Sequence, residues 1–143
     1  MDVIRKARKE DLANFLKLKK EFMKEYGIRQ QSAQFLRREF LDFLRHILVL
    51  AEANHKLVAY LAGIIEKNRY ETYGYIEEIF VLKDMRKHGV ATRLKDNYLN
   101  ILKSEGIALC KLDVSPTNQA KSLYKKWGFK VKKIQMVQSV LDA

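Results

Sequence analysis

The stretch IFVLKDMRKHGVATRL, Ile79–Leu94, decides how the chain is to be read. It begins as an apolar run of strand character and ends as the opening of an amphipathic run, with two cations, a histidine and one glycine crowded into the turn between them. A strand that feeds a helix through a basic turn with a glycine in it presents backbone N–H groups to an anion, backed by the positive end of the helix dipole. Open sheets bind their ligands beyond the carboxyl ends of parallel strands, so this junction is the first candidate for a binding site. It lacks the Gly-Lys-Ser/Thr ending of a Walker A loop and the three glycines of the dinucleotide fingerprint, which disfavours a nucleoside triphosphate or NAD. A pyrophosphate suits the turn better than a lone carboxylate.

The same periodicity argument extends outward from the turn. VIRKA, residues 3–7, reads as a first strand. Leu12, Phe15, Leu16, Phe22, Met23 and Tyr26 form a helical stripe, interrupted by Lys19 and stopped by Gly27, which predicts a helix over about residues 10–26. Leu36, Phe40, Phe43, Leu44 and Ile47 predict a second helix. ILVLAEA and LVAYLAGII, joined by ANHK with its turn-tolerant Asn54, predict an antiparallel hairpin over residues 47–66. A third long strand follows over residues 73–82. Beyond the turn, Val90, Leu94, Tyr98, Ile101 and Leu102 mark a helix to Lys103, and residues 107–114 a strand. Asn118 opens a last helix with the stripe Ala120, Leu123, Tyr124 and Trp127 and the stop Gly128, after which FKVKKIQMVQSVL has β character. The order β-α-α-β-β-β-α-β-α-β implies an α/β fold: one domain over residues 1–143 with a mixed, mostly antiparallel sheet flanked by helices. Its parallel part should lie between the third long strand and the next.

Composition narrows the classes of function. The 143 residues are 48% hydrophobic and 31% charged, a globular balance, with no apolar run of membrane length and no signal-peptide pattern. A cytoplasmic protein with no membrane partner is expected. The single cysteine, Cys110, lies in the apolar run IALCKLDV and reads as a buried structural thiol, and with three scattered histidines it predicts no metal site. The formal charge of +11 attracts polyanions without choosing among them. No helix-turn-helix, zinc-finger or RNP signature appears, so nucleic acid is disfavoured as a partner.

A more specific signal comes from residue identities. IFVLKDMRKHGVA resembles the acetyl-CoA-binding segment of the GNAT N-acetyltransferases, an apolar-x-Val strand end, a short loop, then Arg/Gln-x-x-Gly-x-Gly/Ala opening a helix; Arg86, Gly89 and Ala91 occupy the fixed places. NQAKSLYKKWGFK is similar to the family's second conserved block, and the resemblance covers nearly the whole chain, weakest over residues 22–38 and at the C-terminus. Lys83 stands where a proline is frequent and Arg8 where a Ser or Thr often caps the first helix. The resemblance implies a GNAT-like fold with acetyl-CoA as co-substrate. It also implies that the amides of Arg86, Lys87, His88, Gly89, Val90, Ala91 and Thr92 hold the pyrophosphate, and that main-chain groups of Ile79 and Val81 hold the pantetheine arm and thioester. The Val81 N–H would polarise the acetyl carbonyl, Asn118 would touch the pantetheine or fix a helix start, and Tyr124 would stand near the sulfur.

Acetyl transfer to an amine needs a neutral nucleophile, a stabilised oxyanion and a proton for the departing thiolate. An alkylamine with a pKa of about 10.4 is mostly protonated at neutral pH, so a carboxylate must take a proton. Glu77 and Glu78 precede Val81; by two-residue alternation Glu77 shares a face with Ile79 and Val81, and a bulge would bring Glu78 there instead. Glu77 is the expected base or amine-positioning carboxylate, against the alternative that both glutamates are ordinary solvent-facing residues. The Tyr124 phenol can donate to a thiolate, yet it also belongs to an apolar stripe and could be core. Asn118 could be a plain helix cap, and His88 should serve through its backbone rather than its ring. The expected function is transfer of an acetyl group to a primary amine of a small molecule or peptide in a ternary complex; the alternative is a non-catalytic basic module for CoA or a polyanion. The residues do not name the acceptor or the acyl preference. A homodimer is compatible with the sequence but motivated by no particular residue.

Overall fold

The computed structural model describes residues 2–141, in two compact units divided between Leu112 and Asp113. The first holds β1 (Asp2–Lys6), α1 (Leu12–Glu25), α2 (Ala33–Arg45), β2 (Ile47–Ala53), β3 (Lys56–Lys67), β4 (Thr72–Val81), α3 (Val90–Ser104) and β5 (Cys110–Lys111). The sheet runs in sequence order, antiparallel from β1 to β4, with the expected parallel pair between β4 and β5. The hairpin turn is tight because Asn54 and His55 both take positive φ, 52° and 63°, which matches the twist of the flanking strands. Ser32 starts α2 by accepting the Phe35 N–H at 3.1 Å.

Helices α1 and α2 cover one face of the sheet, where Phe15, Leu18, Phe40 and Phe43 pack with Leu48, Leu50, Tyr60, Ala62 and Phe80. Helix α3 covers the other. There the buried Tyr98 donates to the Ile64 carbonyl at 2.8 Å, and Gly63 makes the close approach feasible, since a Cβ on it would lie 2.6 Å from the Tyr98 ring. With both faces covered, Leu57 to Gly63 of β3 are buried without interruption.

Two strand expectations are corrected. The strand expected over residues 107–114 shortens to Cys110–Lys111, which pair with β4 at Gly74 and Tyr75, just ahead of an irregularity in β4. The closing strand expected from FKVKKIQMVQSVL does not form among the described residues. Its apolar positions alternate only in two short runs of opposite parity, Phe129 with Val131 and Ile134 with Met136, so no single register would bury them on one face, and β propensity without a partner strand does not make a strand. The second unit, described by itself, holds α4 (Ala120–Lys126), and no helix among the described residues is long and apolar enough to cross a membrane.

Candidate active site

The site begins with an irregularity in β4. Ile76 lies opposite Gly63 and Glu78 opposite Ala62, so Glu77 is an inserted bulge residue with no cross-strand partner. A bulge bends its strand and increases the local twist, and beyond it β5 no longer accompanies β4. The Leu82 N–H donates to the Val58 carbonyl at 2.9 Å, toward β3. By alternation the N–H groups of Ile79 and Val81 face the opposite edge, which no described strand covers.

That bare edge leads straight into the turn. Met85 N–H donates to Leu82 and Arg86 N–H to Lys83, at 2.8 and 3.3 Å, in a short 3-10 turn. The Arg86 amide is thereby committed, so an amide cradle can begin only at Lys87. Lys87 and Gly89 then take positive φ, 66° and 79°, and the first intrahelical bond of α3 runs from Arg93 N–H to the Gly89 carbonyl at 3.0 Å. The amides of Val90 and Ala91 therefore precede any helical acceptor, and Thr92 occupies the third helical position. A Cβ on Gly89 would meet nothing within 4 Å, so its open side faces free space. The Lys87 and His88 side chains are exposed beside it. The turn thus has the form that receives an anion through its backbone.

The side chains cluster on the α1/α2 face of β4. Lys19, only 4% exposed, stands in the apolar stripe of α1. Its Nζ lies 2.6 Å from Glu78 Oε1 and 2.9 Å from Glu39 Oε1 of α2, the latter out of line for a hydrogen bond. The Tyr60 hydroxyl also donates to Glu78 Oε1, and the Lys19 ammonium sits 4.6 Å from the centroid of the Phe22 ring. Glu78 is therefore tied into a buried network, whereas Glu77 is exposed. Partial desolvation of the carboxyl beside its neighbours raises the Glu77 pKa above the ordinary carboxylate value, although the residue as a whole is exposed; Asp42, Glu78 and Glu66 add to the rise and His46 opposes it. The bulge also breaks the strict alternation from which a shared face for Glu77, Ile79 and Val81 was expected. Burial pushes the Cys110 thiol up to about 11, leaving it protonated and poorly suited as a nucleophile.

In the second unit Asn118 Oδ1 accepts the Ala120 N–H at 2.8 Å, which fixes the start of α4. Tyr124 packs on Trp127 and Phe129 with ring centroids 5.5 and 6.4 Å away. Its membership of an apolar cluster thus holds locally.

The profile of the acetyltransferase (GNAT) family matches residues 12–129. The chain belongs to that family. Among solved structures, a predicted acetyltransferase from Clostridium acetobutylicum, determined with acetyl-CoA, is 25% identical, with a TM-score of 0.78 over 100% of this chain and 99% of that one. A possible acetyltransferase from Clostridium difficile 630 is 21% identical, with a TM-score of 0.80 over 97% of each chain. Glucosamine-6-phosphate N-acetyltransferase from Arabidopsis thaliana is also 21% identical, with a TM-score of 0.76 over 98% of this chain and 99% of that one. No curated protein matches the sequence. The glycine turn is visible from residue spacing, but the Lys19 network is not. Its one outward sign is a lysine interrupting the apolar stripe of α1.

Proposed function

We propose that the protein is an acetyl-CoA-dependent N-acetyltransferase, residues 1–143 acting as one domain, that acetylates a primary amine of a small molecule or peptide in a ternary complex. The observation that carries the reading is the unaccompanied edge of β4, where Ile79 and Val81 turn main-chain groups outward on the way to the Gly89 turn. A pantetheine arm can pair with that edge as a strand would, while the amides from Lys87 to Thr92 take the pyrophosphate. The amine lone pair attacks the acetyl carbonyl carbon, the Val81 N–H stabilises the oxyanion, and Glu77 accepts the amine proton directly or through water. The C–S bond then breaks, and the departing thiolate needs a proton; the family resemblance assigns that proton to Tyr124, since phenols ordinarily remain protonated at neutral pH. Glu77 suits the role of base because its raised pKa makes it a stronger proton acceptor while its exposure leaves it accessible. Asn118 contributes by fixing the helix that carries Tyr124.

Calorimetric titration with acetyl-CoA tests this reading. The wild type should bind one equivalent with a Kd of about 1 μM to 1 mM, the usual range of enzyme–substrate affinities. Gly89→Glu, which places a carboxylate and a strained positive φ where the pyrophosphate would lie, should abolish binding in a folded protein. A folded wild type that binds neither acetyl-CoA nor CoA would leave the basic surface as the leading clue. DNA affinity that falls steeply with salt and ignores CoA would then support the polyanion reading.

A further inference from the structure

The basic residue that opens the Arg-x-x-Gly-x-Ala turn does not project toward the space in front of Gly89. Arg86 Nε donates to the Val81 carbonyl at 2.9 Å, and its Nη2 lies 2.7 Å from each carboxylate oxygen of Glu25. Its guanidinium carbon sits 5.8 Å from the centroid of the Phe80 ring. Glu25 is the last residue of α1, where a carboxylate faces the negative end of the helix dipole, and Arg86 offsets that local penalty. The Val81–Leu82 peptide is consequently held at both ends, its N–H by the Val58 carbonyl and its C=O by Arg86.

We propose that Arg86 and Glu25 are positioning residues that aim the Val81 N–H at the acetyl carbonyl, and that the Arg86 side chain is not a phosphate ligand. The inference rests on the function proposed above. With the Val81–Leu82 peptide plane fixed, the torsions of Val81 have little freedom, so the direction of its own N–H is set before any thioester arrives. Such pre-orientation is what makes an oxyanion donor effective. A lysine cannot substitute, because an ammonium is a point charge without the planar fork that reaches a carbonyl and a carboxylate in two fixed directions. The clamp also ties the end of β4 to the last turn of α1, just ahead of the connector to α2.

Two readouts separate aiming from phosphate binding: the affinity for CoA, which has no acetyl group, and the infrared carbonyl band of bound acetyl-CoA labelled with 13C at the carbonyl. Arg86→Gln and Arg86→Lys should bind CoA within about twofold of wild type, since about tenfold is what loss of a charged phosphate contact would bring. The shift of the carbonyl band on binding, present in the wild type, should vanish in both variants and shrink in Glu25→Gln. Glu25→Gln removes only a partly exposed ion pair and keeps the fold available if Arg86→Gln is unstable. A tenfold or greater loss of CoA affinity in Arg86→Gln that Arg86→Lys restores would overturn the inference, as would an unchanged carbonyl shift in Arg86→Gln. A folded wild type that binds no CoA would instead overturn the proposed function, and this inference with it.

Discussion

The Gly89 turn and the Lys19 network lie at opposite extremes of how a protein presents charge. At the turn the favourable field comes from peptide dipoles and amides around a glycine, the neighbouring Lys87 and His88 side chains are exposed, and nothing occupies the space a Cβ would enter. Around Lys19 the charges are side chains drawn from α1, α2 and β4, packed against aromatic rings, with the ammonium almost wholly removed from water. The first arrangement is organised before a ligand arrives and tolerates water. The second depends on every partner, because a buried charge that loses its counter-charge is left with its full desolvation penalty.

Removing the cation from the Lys19 network should expose that dependence. Lys19→Met leaves Glu39 and Glu78 facing each other without a cation and should destabilise the protein by about 3–5 kcal/mol in urea unfolding. Lys19→Met combined with Glu39→Gln removes a charge of each sign and should recover part of that loss. If Lys19→Met alone costs under about 1 kcal/mol, the network is wetter than its burial implies and the contrast with the turn fails.

The same contrast explains which parts were legible in the sequence. Element order as far as α4, the Asn54 hairpin, the parallel β4–β5 pair and the Gly89 turn follow from short-range periodicity, or from glycine and asparagine at positions needing positive φ, whereas the closing strand expected after Gly128 does not form among the described residues. Lys19, Glu39, Tyr60 and Glu78 are scattered over the chain and meet only through packing, which no local pattern records. The bulge at Glu77 was legible only as an option: the adjacent acids Glu77 and Glu78 interrupt the two-residue alternation between Ile76 and Ile79, but no glycine marks the inserted residue. The shortened β5 follows from that bulge, so the same hidden feature lay behind both. Arg86 was legible as a motif residue but not as a clamp, since its partner Glu25 is 61 positions away.

A half-wet network offers an intermediate case. Arg5 donates from Nη1 and Nη2 to Asp11 at 2.9 and 2.7 Å and also bonds Glu52, while Asp11 accepts the Arg8 N–H at 2.7 Å ahead of α1. The hydrogen bond from Arg5 holds the Asp11 pKa below its ordinary 3.8, against the opposing effect of burial. A depressed carboxylate stabilises the fold above its unfolded pKa and loses that contribution as pH falls through the native value. Asp11→Asn should therefore cost about 1.5–3 kcal/mol at neutral pH, as for hydrogen bonds to a charged group, and the difference from wild type should fade below about pH 3.8. A difference independent of pH would mean that the side chain acts through shape rather than charge.

The smallest expected effect on stability has the opposite sign and bears most directly on catalysis. Partial desolvation and the neighbouring acids Asp42, Glu78 and Glu66 raise the Glu77 pKa, so the folded state holds the Glu77 proton more tightly than the unfolded chain does. Between the unfolded and folded values the native state binds more protons, and stability falls as pH rises through that window. Glu77→Gln removes the penalty, so its melting temperature should exceed that of wild type slightly at neutral pH and match it below the ordinary value of 4.5. A residue kept for stability behaves the other way, since its removal lowers the melting temperature. Acetyl-CoA affinity should be unchanged in Glu77→Gln, because the bulge side chain is not among the groups assigned to the thioester or the pyrophosphate. A carboxylate that weakens the fold when charged, sits exposed on an inserted residue and leaves donor binding untouched has the profile of a group retained for proton transfer. A lower melting temperature in Glu77→Gln at neutral pH would make Glu77 a structural residue and shift the search for the base to Glu78.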